Sequence, residues 1–164
     1  MSRRLANLLG FAACALLIGY ALYAQYGLHL EPCPLCIFQR VAVIVLGVVF
    51  LVAALHGPGR TGSRIYAALT GIATLAGIGV AARHLWIQSL PPDRVPACGA
   101  PFDQLWQVLP LRNVIETVLR GDGECARINW TFLGLSMPAW VLIAFAVVGI
   151  WGIAANLRAP REPR

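Results

Sequence analysis

The chain has 164 residues, of which 59% are hydrophobic and 12% charged, and its net charge is +6. With a mean hydropathy of +0.71, it has too little polar surface for a soluble domain of this length, which points to one compact integral membrane unit. All 13 basic residues are Arg, but no continuous polar basic face is available for nucleic acid, so the excess charge reads as a topology signal in membrane loops.

A membrane span needs roughly 20 apolar residues, at about 1.5 Å of rise each across about 30 Å of hydrocarbon. After Arg3 and Arg4, an uncharged run sets the first span at residues 8–28. It is longer than a signal-peptide core, although "ALYAQ" offers small residues for cleavage, and it is read as a retained span. A short loop, 27–36, carries Cys33 and Cys36 within "EPCPLCIFQR". The second span, 37–55, is long enough only if its helix starts near Cys36 and takes Arg40 into its first turns. Arg60 and Arg64 follow. The third apolar run reaches Arg83-His84 and sets a span at 65–86. Its small residues at four-residue spacing, Ala67 with Gly71 and Ala73 with Gly77, predict close helix packing. Gly77-x-Gly79-x-x-Ala82 also fits a dinucleotide fingerprint, but it lies inside a membrane helix with no strand before it and is discounted.

A long loop, 88–135, mixes four Arg with five acids. From Leu111, apolar residues fall at 111, 114, 115, 118 and 119, a helical period that predicts a short amphipathic helix in the membrane interface with Pro110 in its first turn. Its Pro- and Gly-rich flanks, "PPDRVPACGAP" and "RGDGECA", hold Cys98 and Cys125 and read as mobile loops. The last span runs over 138–157, with Ser136 as N-cap and Pro138 in the first turn. Trp86, Trp106, Trp130 and Trp140 fall near one boundary and are read as interfacial anchors. The fold expected is a single all-α domain over residues 1–164, a four-transmembrane-helix bundle with two loops on one side.

Arg placement orients it. Arg3 and Arg4, Arg60 and Arg64, and Arg158, Arg161 and Arg164 share one side, which the positive-inside rule makes cytoplasmic. Cys33, Cys36, Cys98 and Cys125 then lie on the opposite, disulfide-permitting side, while Cys14 sits within the first span. Two structural disulfides are one reading of the four. It suits Cys98 with Cys125 better than Cys33 with Cys36, because so tight a ring removes little unfolded-chain entropy and such C-x-x-C pairs are more often reactive. A helix N-terminus beside Cys36 stabilises a thiolate, and Arg40, four residues on, shares its helix face. An Arg at that depth is a functional candidate, with snorkelling as the plainer explanation. A Cys₄ zinc site is the rival, weakened because Cys98 and Cys125 do not form a second short knuckle. Haem attachment is disfavoured, since Ile37 rather than His follows the C-x-x-C. Disulfide exchange only relays oxidising equivalents, so a net source of disulfides needs an acceptor. No flavin or haem motif is present, and a thiol at the bilayer edge suits a lipid-soluble quinone. His84, at the matching end of the third span, is a candidate to hydrogen-bond a quinone oxygen.

"CPLCIFQR", "RHLWIQ" and "CARINWTFLGLSMPAW" closely resemble the disulfide bond formation protein B (DsbB) family, in order and over essentially the whole chain. The resemblance implies a quinone-dependent thiol oxidase of the bacterial inner membrane, with ubiquinone or menaquinone as acceptor. It implies a periplasmic thioredoxin-fold partner of the DsbA type. On that resemblance, Cys33–Cys36 is the quinone-proximal pair, with Cys36 contacting the quinone and Arg40 and His84 at the same site. Cys98 would form the mixed disulfide with the partner, and Cys125, released, would engage Cys33. Phe38 stands where some relatives have Tyr, and Cys14 has no implied role. Two other readings are a vitamin K epoxide reductase-like oxidase, whose C-x-x-C is expected nearer the chain's end, and a non-enzymatic membrane metal-binding protein.

Overall fold

The computed structural model describes residues 2–95, 110–121 and 123–158. Among them, four helices are long and apolar enough to cross a membrane: α1 (Arg3–Tyr26), α2 (Pro34–His56), α3 (Arg60–Gln88) and α6 (Met137–Leu157). Between α3 and α6 lie a 3-10 turn (Pro92–Arg94), α4 (Leu111–Arg120), the single turn α5 (Gly123–Ala126) and a small hairpin of β1 (Thr131–Phe132) and β2 (Leu135–Ser136). α1 packs on α2, α2 on α3 and α3 on α6, and α6 closes back on α1. This is the expected four-helix membrane bundle.

The helices start and stop for local reasons. The Ser2 hydroxyl accepts from the Leu5 N–H and caps α1. Pro34 occupies the first turn of α2, where no intrahelical N–H is needed. Gly57 ends α2 in the left-handed region at φ 57°, and a side chain there would meet the Arg4 guanidinium. The hairpin turns through Leu133 and Gly134, at φ 51° and 78°, the pairing of two positive values that a tight two-residue turn requires. Ser136 sits at the N-cap of α6, as expected, but its hydroxyl donates to Gln88 Oε1 at 2.8 Å and does not cap the helix.

The bundle's interior is built on aromatic rings seated over glycines. Phe50 of α2 is fully buried, and a Cβ at Gly10 of α1 or Gly152 of α6 would run into its ring. Phe145 of α6 lies over Gly77 of α3, while Thr74 of α3 lies over Gly149 of α6. Lipid offers no hydrophobic gain for helix association, so close backbone approach at small residues supplies the packing. Of the two small-residue pairs, Gly77 is the tight one, because a Cβ at Gly71 would find only an ordinary contact with Ile153. Leu16, Leu55, Ile72, Leu75 and Ile150 point outward, as suits a surface bathed in hydrocarbon.

At the end of the bundle away from the cysteines, α1 and α6 are joined by a reciprocal amide pair. Asn7 Nδ2 donates to Asn156 Oδ1 at 3.2 Å, and Asn156 Nδ2 returns a bond to Asn7 Oδ1 at 3.0 Å. Both side chains are buried. Arg3 adds two bonds to the Arg158 carbonyl, at 2.7 and 3.1 Å.

The amphipathic helix falls at α4, and its apolar residues divide between two surroundings. Val114 and Val118 are buried with Leu35 of α2, Ile87 of α3 and Cys125. Leu111, Ile115 and Leu119 stay exposed. Arg83 of α3 ties down the C-terminus of α4, donating to the Leu119 carbonyl at 3.0 Å and the Arg120 carbonyl at 3.1 Å. A cation at a helix C-terminus satisfies its last carbonyls and complements the dipole. The same guanidinium lies 4.2 Å over the Trp86 ring, so Trp86 braces Arg83 as well as facing outward.

Candidate functional site

Cys33 is the N-cap of α2, and its Sγ accepts from the Cys36 N–H at 3.4 Å. The helix N-terminus therefore directs an N–H at Cys33, and Cys36 lies in the first turn of α2, as the sequence suggested. The Cys33 and Cys36 sulfurs are 3.0 Å apart. Cys36 faces a cavity of about 620 Å³ bounded by α1, α2, the cysteine end of α3, α6 and residues 124–130. Its wall is mostly apolar, and it extends along α1 from Ala24 down to Ala13, about 16 Å at the helical rise.

Arg40 lies on the same wall, one turn beyond Cys36. Its guanidinium donates to Gln25 Oε1 and to the Ala21 carbonyl, the latter at 3.0 Å. Both acceptors are neutral. Ion pairs among the described residues are Arg120–Glu116 and Arg127–Glu124, so no carboxylate neutralises Arg40 there. The half-buried guanidinium is thus fixed in direction, with no carboxylate bonded to it among the described residues, and a cation so placed favours negative charge on an occupant of the cavity.

His84 also reaches the cavity wall but is only 2% exposed. Its Nδ1 lies 3.2 Å from Gln39 Nε2, and its Nε2 lies 3.0 Å from the Cys125 carbonyl oxygen and 3.7 Å from Cys33 Sγ. A carbonyl only accepts, so Nε2 carries the hydrogen and Nδ1 accepts from the Gln39 amide.

Cys125 is 0% exposed within α5. Val114 and Val118 of α4 pack against it and Arg83 holds α4 in place, so in this arrangement the segment expected to be a mobile flank is docked. The Cys33 and Cys125 sulfurs and a His84 ring nitrogen all lie within 4.8 Å of one another. Three such donors are of the kind zinc takes, and the His84 nitrogen facing the group also lies 3.0 Å from the Cys125 carbonyl oxygen. Cys98 and Trp106 lie outside the described residues. Trp130 and Trp140 do more than anchor. Trp130 stacks on Phe132 and meets Tyr20 edge-on, while Trp140 donates to the Phe132 carbonyl at 3.0 Å. Tyr20, Trp130 and Trp140 line the cavity.

Sequence reasoning passed over Gln25, Gln39 and Arg83. Each is a polar residue within an apolar run close to the cysteines, and that was the available signal.

A family model described as disulfide bond formation protein DsbB matches residues 3–155. A disulfide bond formation protein B of Nitrosococcus oceani is 51% identical over 150 residues, covering 92% of this chain and 89% of the relative. The one from Hahella chejuensis is 48% identical over 162 residues, 98% of each. The one from Chromobacterium violaceum is 50% identical over 151 residues, covering 92% and 91%.

Proposed function

The chain belongs to the disulfide bond formation protein DsbB family of disulfide-generating membrane oxidoreductases, and from that premise we propose that it reoxidises a periplasmic DsbA-type thioredoxin-fold protein and passes the electrons to quinone in the bacterial inner membrane. The observation that carries this reading is that Cys33 has two sulfur neighbours, Cys125 within 4.8 Å and Cys36 at 3.0 Å, and that Cys36 lines the apolar cavity with Arg40.

In the proposed relay, a partner thiolate attacks Cys98 of a Cys98–Cys125 disulfide and releases Cys125. Cys125 attacks Cys33, and Cys36 leaves as the thiolate. A second partner thiolate resolves the mixed disulfide at Cys98 and leaves as oxidised protein. Quinone, ubiquinone or menaquinone, supplies a two-electron, two-proton acceptor when bound. The cavity fits it: the volume is that of a small-molecule site, the wall is apolar, and a fixed cation stands beside the thiol. Cys36 presents its sulfur there, Arg40 offsets negative charge and His84 closes the wall behind Cys33. Arg3, Arg4, Arg60, Arg64 and Arg158 gather at the end away from the cysteines, which supports cytoplasmic termini and periplasmic cysteine loops.

The test follows quinone absorbance in lipid with a reduced thioredoxin-fold dithiol protein, beside a Cys36→Ser control. Quinone consumption matched to partner oxidation, and lost in the control, is expected. No consumption with either ubiquinone or menaquinone, together with thiolates that release metal on acidification, would replace this reading with a metal-binding one.

A further inference from the structure

We propose that Gln39 and His84 act as a positioning pair for sulfur exchange between Cys125 and Cys33, a role that rests on the relay above and assigns His84 to the sulfurs in addition to the cavity wall. Gln39 of α2 is only 4% exposed and His84 of α3 2%. A buried amide against a buried imidazole at the lipid boundary is costly unless each group serves the other. Here the Cys125 carbonyl, an acceptor only, calls for the hydrogen on Nε2, and the Gln39 amide meets the other ring nitrogen, Nδ1, at 3.2 Å. The single N–H, on Nε2, donates to the carbonyl of Cys125 and stands 3.7 Å from the sulfur of Cys33.

One ring nitrogen therefore addresses both residues that must exchange. Its bond to the carbonyl holds the backbone of the attacking residue, so that the Cys125 sulfur stays within 4.8 Å of the sulfur it attacks. Its approach to Cys33 offers a hydrogen to sulfur while the bond there rearranges. The opposite tautomer would turn a lone pair toward the Cys125 carbonyl and push α5 away; Gln39, whose amide can face Nδ1 with either end, holds the ring in the plane that keeps Nε2 on that carbonyl. In the exchange the Cys125 thiolate forms a bond to Cys33 Sγ, the Cys33–Cys36 bond breaks, and the electron pair leaves on Cys36 Sγ. No proton transfer and no outside oxidant is needed, so the contribution of the pair is placement. No ligand enters this argument, which uses α2, α3 and α5 alone.

The experiment uses the full-length chain in lipid, freed of quinone and oxidised at both cysteine pairs. It is mixed with excess reduced thioredoxin-fold dithiol protein, quenched with acid at intervals, alkylated and analysed by peptide mass for the Cys33–Cys36 disulfide. Gln39→Leu and His84→Phe are expected to slow loss of that disulfide about tenfold, the size of one net hydrogen bond to a buried group. The mixed disulfide at Cys98 should accumulate in both. His84→Gln, whose amide N–H reaches the position of Nε2, should recover the rate to within about threefold of the parent. The first attack of the partner on Cys98 should stay within about twofold for Gln39→Leu, which a general loosening of the bundle would not allow. If His84→Phe does not fold, Gln39→Leu and Gln39→Glu carry the comparison, the latter drawing the hydrogen to Nδ1. Exchange within about twofold of the parent in the Gln39 variants, or an equal fall in attack on Cys98 and in exchange, would overturn the inference. A parent chain that exchanges while its variants match it removes only this inference. A parent chain that never loses its Cys33–Cys36 disulfide removes the relay beneath it as well.

Discussion

Replacing Arg40 by Ala removes the guanidinium one helical turn from Cys36 on the cavity wall. Residues four apart on a helix have side chains about 6 Å apart. At an effective dielectric constant of about 20, a unit charge at that distance from a developing negative charge contributes about 3 kcal/mol. Gln25 and the Ala21 carbonyl fix the guanidinium without neutralising it, so most of that interaction remains for whatever occupies the cavity. Some of it is recovered as neighbours relax, which leaves an expected fall in kcat/KM for quinone of about tenfold to hundredfold at about 1.4 kcal/mol per factor of ten. The assay is an initial-rate titration of quinone in lipid, paired with quinone-free exchange against the reduced partner. Attack of the reduced partner on Cys98 should stay within about twofold of the parent, because that step releases Cys125 and puts no charge on Cys36. Equal losses in both assays, or an unchanged dependence on quinone, would refute the assignment. Gln25→Glu is a second route to the same end, since a carboxylate there would pair with Arg40 and cancel its charge in place.

Other residues bear separate expectations. Val114→Ala with Val118→Ala removes four buried carbons at about 0.8 kcal/mol each and should release α4. Hydrogen exchange in lipid should then show residues 111–119 losing protection, and retained protection would mean that Arg83 alone holds the helix. Cys14, buried among Val43, Leu46 and Phe50, serves packing, so Cys14→Ala should keep turnover within about twofold; a collapse of turnover would place it in the relay. Gly77→Leu forces a side chain into the Phe145 ring and should cost about 1–3 kcal/mol, read as a lower Tm in detergent. Gly79→Leu, whose Cβ meets nothing within 4 Å, should leave the Tm nearly unchanged.

The bundle was legible because a membrane span is a matter of apolar length, and C-P-L-C followed by an apolar run already marks where α2 begins. The helix ends were less so. α1 starts at Arg3 and α3 at Arg60, ahead of the apolar runs, because backbone hydrogen bonding continues into the polar interface where hydropathy no longer reports it. α4 was visible in its period, but which valines turn inward depended on Leu35 and Ile87 from two other helices. The cysteines and Arg40 stood out as chemistry in apolar surroundings. The Gln39–His84–Cys125 chain did not, since its members lie 45 and 41 positions apart and meet only after α5 docks.

The asparagine pair at the far end has an effect at the cysteine end. Asn7 and Gln25 are 18 residues apart on α1, which is five whole turns at 3.6 residues per turn, about 27 Å along the axis. They therefore leave the helix on the same side. An amide pair bonded in both directions allows α1 one rotational setting against α6, and that setting brings Gln25 round to meet Arg40. A contact at one end of α1 thus bears on the aim of a charge near its other end, and substitutions at Asn7 or Asn156 belong among those expected to tune a cavity they never touch.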